Sequence, residues 1–251
     1  MSTKPKRKAL LVGSNYKLNE RKLNGCISSI NAMKTYLQNS VGLTSCLVVS
    51  DESNIKPTRA NILREFKKFI MDSKEGDKLW FVFSGHGTQD VDKSGVETDG
   101  LNECICSYEA DTSIQVITDD EIKQILVNLH PKASLFAVFD CCHSGTMMDL
   151  KYQYQYNGKL LVSTNEQMKN AGQIVMLSGC KDNQTSLGVQ INNVWGTSLI
   201  NGFLKSCNQP GNITINEMLT RTRDNLKAYT QMPQLSSNHL LNLGDLFFLR
   251  F

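Results

Sequence analysis

Short, unbroken runs of apolar and β-branched residues, separated by amphipathic stretches, narrow most sharply what this chain can fold into. Leu79–Phe83 and Leu135–Phe139 are apolar at every position, which suits strands covered on both faces rather than strands half open to water. Lys8–Val12, Cys46–Ser50, Ile174–Leu177 and Leu246–Leu249 read as further strands. Between them, Ile62, Phe66, Phe69 and Ile70 fall on one helical face. Thr118 with Glu121 gives the capping-box signature of a helix over Asp119–Leu129, and Thr214 with Glu217 repeats it before Ile215–Ala228. This alternation predicts an α/β fold: a mostly parallel central sheet of about six or more strands with helices on both faces. The 251 residues, 40% of them hydrophobic, fit one domain over 1–251.

The stretch from Asp149 to Gly172 breaks the pattern. It carries Tyr152, Tyr154 and Tyr156, several amides, and Lys151, Lys159 and Lys169, with little apolar periodicity. Residues 151–172 read as a flexible surface connection, where a chain is most readily nicked.

Charge excludes one partner class. With 27 basic against 24 acidic residues the formal net charge is +3, so there is no electrostatic case for nucleic acid. The basic start, Lys4 to Lys8, runs into only four apolar residues, too few for a signal-peptide core or a membrane span. The expectation is a soluble, unsecreted, cytoplasmic protein with no membrane partner. Its eight cysteines are expected to be reduced, most of them small core hydrophobes.

Both fully apolar runs end in polar clusters: Ser84-Gly85-His86-Gly87 after the first, Asp140-Cys141-Cys142-His143-Ser144-Gly145 after the second. Ligands of open α/β sheets sit beyond the carboxyl ends of the strands, so His86 and Cys142 meet if the two strands are neighbours. An imidazole beside a thiol takes its proton and leaves a thiolate able to attack a carbonyl carbon. The N–H groups of Gly87 and Cys142 are candidates for holding the resulting oxyanion. Taken singly, a histidine between glycines is an ordinary loop residue and a Cys-Cys-His triplet is ambiguous. Together, with the histidine about 55 residues upstream of the cysteine as in caspases, they are far more specific. A zinc module built from Cys104, Cys106, Cys141, Cys142 and His143 lacks the Cys-x-x-Cys pairing of structural sites. A cysteine phosphatase needs an arginine to hold phosphate where Met148 stands.

These residues, with Lys8-Ala9-Leu10-Leu11-Val12-Gly13-Ser14-Asn15-Tyr16, Leu23-Asn24-Gly25-Cys26, Ile117-Thr118-Asp119-Asp120-Glu121, Leu177-Ser178-Gly179-Cys180-Lys181-Asp182-Asn183-Gln184-Thr185-Ser186 and Gln231-Met232-Pro233-Gln234-Leu235-Ser236, carry a likeness. Over nearly its whole length the chain resembles the metacaspases, relatives of the caspases in one peptidase clan. It is similar to a type I metacaspase without a long prodomain, with a large-subunit-like region 1–150 and a small-subunit-like region 173–251. The resemblance implies a caspase-like three-layer sandwich, a monomer, and a cysteine endopeptidase that cuts after Arg or Lys with Cys142 and His86 as its dyad. Asp140, Ser84 and Cys26 match the family's substrate pocket. Ser29 stands where a second pocket acid is usual, and one carboxylate holds a guanidinium less firmly than two.

Many metacaspases need calcium, and the resemblance carries Asp119, Asp120 and Asp149 onto its ligand positions. Asn102 takes the place of a fourth acid, as the motif reads Asp99-Gly100-Leu101-Asn102, with Glu103 beside it as a substitute. Calcium accepts neutral oxygens, although acids in a helix's first turn also favour its dipole without any metal. Self-cleavage after Lys151, Lys159 or Lys169 is implied as well. Ser29 and Asn102 at acid positions motivate the alternative, a catalytically weak homologue acting as a binding or regulatory protein.

Overall fold

The computed structural model describes residues 4–91, 100–142, 144–155, 159–163, 168–179, 188–191, 194–208, 212–229 and 231–247. Asp99, His143, Tyr156, Leu249 and the 180–186 motif lie outside the described residues. In chain order the strands are β1 Arg7–Gly13, β2 Ser45–Ser50, β3 Lys78–Ser84, β4 Gly87–Val91, β5 Leu101–Cys106, β6 Val116–Thr118, β7 Ser134–Asp140, β8 Tyr152–Tyr154, β9 Leu160–Val162, β10 Gln173–Ser178, β11 Gly188–Ile191, β12 Val194–Thr197 and β13 Gln234–Ser237. The helices are α1 Cys26–Tyr36, α2 Arg59–Met71, α3 Asp119–Leu126, α4 Ser198–Cys207 and α5 Ile215–Leu226.

Eight strands form the central sheet in the order β2-β1-β3-β7-β10-β13-β8-β9. The first five are parallel and the last three antiparallel. Side chains alternate across the sheet with period two. Trp80, Val82, Phe136 and Val138 therefore share one apolar cluster with Ile30 and Met33 of α1, Phe203 of α4 and Met218 of α5. Phe81, Phe83 and Phe139 point the other way, onto Phe66 of α2 and Ile122 of α3. Helices thus cover both faces, giving the three layers that the run pattern predicts. Strands β4-β5-β6 make a separate antiparallel sheet and β11-β12 a hairpin.

Both capping boxes form, with Glu121 N donating to Thr118 Oγ1 and Glu217 N to Thr214 Oγ1. The helices are shorter than the expected Asp119–Leu129 and Ile215–Ala228, ending at Leu126 and Leu226. Two further expectations are corrected. The connection expected over 151–172 contains two strands: β8 adds to β13, and β9 pairs with β8. Tyr154 is 7% exposed, its hydroxyl accepts Leu241 N at 2.7 Å and its carbonyl accepts Arg223 Nη2 at 2.8 Å. The Tyr-x-Tyr spacing was the period-two signal. Leu246 belongs to no strand of the sheet and makes only an isolated bridge to Thr214. Phe247 is instead drawn into the core against Phe136 and Phe203.

Candidate active site

Strands β3 and β7 are neighbours in parallel register, and their last shared rung joins Ser84 to Asp140. One further bond, Gly85 N to Asp140 O at 3.3 Å, ties the chains together beyond it. His86 and Cys142 each lie two residues past that rung, so the two polar clusters emerge side by side at one sheet edge. Gly87 closes the gap. A Cβ built there would fall 2.0 Å from the Cys142 carbonyl oxygen and 3.1 Å from Cys141 Sγ, so only glycine allows the chain after His86 to rest against the turn that carries Cys142. Both His86 and Cys142 are half-buried.

His86 is held at three points. Its Nε2 lies 2.6 Å from Arg21 O; a carbonyl only accepts, so Nε2 carries the proton and Nδ1 keeps its lone pair. The His86 backbone N donates to the Tyr16 hydroxyl at 3.0 Å, which itself donates to Cys106 O at 2.8 Å. The two rings meet at 4.7 Å between centroids. Tyr16 is fully buried, and burial holds its phenol well above the usual tyrosine range, so it stays an O–H donor. Its backbone has φ 50°, a left-handed conformation, supported by Tyr16 N donating to Asp51 Oδ2 at 3.0 Å. Burial lowers the His86 pKa below the usual histidine value; the hydrogen bond to Arg21 opposes this and the Arg21 charge adds to it.

Beneath these loops lie the expected pocket residues. Asp140 is 1% and Ser84 0% exposed. The Asp140 carboxylate accepts Ile200 N at 3.4 Å, from the first turn of α4, where the helix dipole favours an anion. Cys26 faces the Ser84 hydroxyl, which makes no well-formed hydrogen bond within the protein. Burial pushes the Cys26 thiol up to about 12, with the Asp140 charge adding to it and Ser84 opposing. Gly25 opens α1 at φ 101°, and a Cβ there would lie 2.8 Å from the Gly196 backbone; this brings β12 against the pocket. Asn15 Oδ1 accepts Cys26 N at 3.0 Å and fixes the start of α1. Ser29 makes a structural link. Its hydroxyl accepts Thr197 N at 2.8 Å and Thr197 Oγ1 at 2.9 Å, binding α1 to the end of β12.

The residues expected around calcium gather elsewhere, where α3 begins beside β5. Glu103 N donates to Asp119 Oδ2 at 3.3 Å, and Asp149, at φ 47°, comes close. Burial, then the charges of Asp149 and Glu103, push the Asp119 carboxyl up to about 8. Asn102 Oδ1 is buried without a partner. Yet the ammonium of Lys123 lies 2.8 Å from Asp149 Oδ2 and 3.8 Å from Asp120 Oδ1. Among the described residues no three His, Cys, Asp or Glu side chains converge to hold a metal ion. Calcium takes six to eight oxygens, and as arranged these groups do not fit it. Of the lysines expected at cleavage points, Lys159 and Lys169 are exposed and Lys151 is half-buried beside the Tyr152 ring.

Sequence reasoning missed Tyr16, the Arg21 carbonyl, Thr197 and Lys123. The first lay within a quoted motif without a role; a backbone carbonyl has no sequence signal.

No helix among the described residues is long and apolar enough to cross a membrane. The fold is shared with a crystal structure of a Geobacter sulfurreducens protein, at TM-score 0.70 and 20% identity over 96% of this chain and 97% of that one. A layered, mostly parallel sheet with a histidine and a cysteine at adjacent strand ends defines the class of caspase-like α/β proteins. Residues 7–151 match the family model for the metacaspase peptidase C14 domain. The chain is 35% identical to metacaspase-1A of Aspergillus oryzae, over 96% of its own length and 69% of the relative's. It is 34% identical to metacaspase-2 of Trypanosoma brucei brucei, over 96% and 75%. The chain belongs to the metacaspase family and is a cysteine-type endopeptidase, acting on protein substrates.

Proposed function

We propose that Cys142 and His86 form the catalytic dyad and that the enzyme cuts peptide bonds after arginine or lysine. The reading rests on one observation: the Ser84–Asp140 rung sets both residues at equal distance past neighbouring strands, with Gly87 packed on the Cys142 carbonyl. In the proposed cycle His86 Nδ1 takes the Cys142 thiol proton, and the sulfur forms a bond to the scissile carbonyl carbon. The oxyanion accepts hydrogen bonds from Gly87 N–H and Cys142 N–H. His86 returns its proton to the leaving amine as the C–N bond breaks, and water then hydrolyses the thioester. Asp140 receives the substrate's basic group. Its enclosure strengthens charge pairing, and Ser84 with Cys26 lines the approach. Fluorogenic peptides ending in arginine, lysine or aspartate test this, with hydrolysis of the first two expected. A preference for aspartate would sink the pocket assignment.

The proton balance of His86 sets a pH dependence. A pKa below the usual histidine value keeps the ring neutral, and so able to act as a base, at pH values where an exposed imidazole is already charged. The acid limb of kcat/KM is therefore expected below the ordinary histidine pKa, measured across a constant-ionic-strength buffer series. A midpoint above it would contradict a desolvated base.

Self-cleavage is proposed after Lys169 rather than after Lys151 or Lys159. A peptide bond must leave its hydrogen-bonded surroundings to enter a protease, whereas Lys151 leads straight into β8 with its carbonyl accepting Ser163 N at 2.8 Å, and Lys159 leads straight into β9 with its carbonyl accepting Gln155 N at 2.9 Å. Mass spectrometry of the incubated protein should find the new end at the exposed Lys169. Intact chains with full activity would rule out processing as a requirement.

A further inference from the structure

The acidic cluster at the start of α3 already contains a cation. Lys123 is 4% exposed, and α3 carries it one turn beyond Asp119 with its ammonium turned inward. There it donates to Asp149 Oδ2 at 2.8 Å and sits 3.8 Å from Asp120 Oδ1. A buried ammonium persists only where carboxylates surround it, because losing its hydration is otherwise uncompensated. Asp149 is held in the left-handed region, φ 47°, with its own N donating to Thr146 O at 2.6 Å; that turn brings the carboxylate to Lys123. Asn102, where the resemblance expects an acid, leaves β5 with one carboxylate fewer at that position. Both sequence features act in one direction: less demand for an external divalent ion.

We propose that Lys123 is the resident cation of this cluster, so that the protein folds and works without calcium. The ammonium occupies carboxylate oxygens that a divalent ion would need, and calcium binding has to expel a paired, buried charge. Removing that charge reverses the situation. In Lys123→Gln, Asp120 and Asp149 lose their counter-ion, and Asp119, close to Asp149, stands as a further oxygen donor.

Calorimetric titration with calcium and thermal unfolding, each with and without chelator, test the proposal on the intact chain. The unsubstituted protein is expected to give no binding heat and no calcium-dependent shift in Tm. Lys123→Gln is expected to unfold several degrees lower in chelator and to recover on adding calcium, with affinity rising about tenfold or more. Saturable calcium binding with a raised Tm in the unsubstituted protein would overturn the proposal, and that arm does not depend on how the variant folds. Peptide hydrolysis adds a third arm, which rests on the dyad proposed above: equal rates with calcium and with chelator support Lys123, and activity that chelator abolishes and calcium restores refutes it. Absence of hydrolysis under every condition would count against the dyad, while the binding measurements still decide the question of the cation.

Discussion

Cys142→Ala is expected to remove peptide hydrolysis, lowering kcat/KM by about 10³-fold or more. Among the described residues no other thiol is placed to take over. Burial pushes Cys104 up to about 12 and Cys106 up to about 11, leaving them protonated at neutral pH, where a thiol is a poor nucleophile. Cys26 is buried beside Ser84 with its thiol pushed up to about 12, and Cys141 is buried beneath Gly87. His86→Gln is expected to cost a similar factor, and the double variant little more, because the two groups act as one unit. Fluorogenic peptide assays read the loss, with circular dichroism to verify folding. Undiminished hydrolysis by Cys142→Ala would remove the basis for the dyad.

Asp140→Asn is expected to lower kcat/KM on arginine and lysine peptides by about 100-fold, or roughly 3 kcal/mol, the magnitude of unpairing an enclosed charge. The amide oxygen can still accept from Ile200 N, so the start of α4 keeps its contact. Replacing a carboxylate that is 1% exposed also removes a desolvation penalty, and Tm is expected to hold or rise. That separation distinguishes lost recognition from a damaged fold. Unchanged preference for basic peptides would place the specificity determinant elsewhere.

The legible part of the fold was the part governed by local rules. Continuous apolar runs at Leu79–Phe83 and Leu135–Phe139 announced buried parallel strands, and two capping boxes marked the starts of α3 and α5 to the residue. The same runs ending in Gly-His-Gly and Asp-Cys-Cys brought the two candidate clusters to adjacent strand ends. What stayed hidden depends on distant partners. Tyr152 and Tyr154 form a strand because β13 offers an edge and Arg223 a donor, 69 residues from Tyr154. Ser29 reads as a missing acid until Thr197, 168 residues away, is seen bonded to it. Lys123 looks like any helical lysine until the turn at Asp149 folds back over it. Side-chain type states what a group is able to do, whereas tertiary contact decides which option it takes.

The bond from the histidine ring to Arg21 O has a consequence for inheritance. In a triad of side chains, one nucleotide change deletes the member that orients the imidazole. Here that member is a main-chain oxygen, present whatever residue occupies position 21, so it survives every missense change there. It is lost only when the 17–23 loop changes length or path, and the side chain at position 21 can therefore vary while the imidazole keeps its orientation.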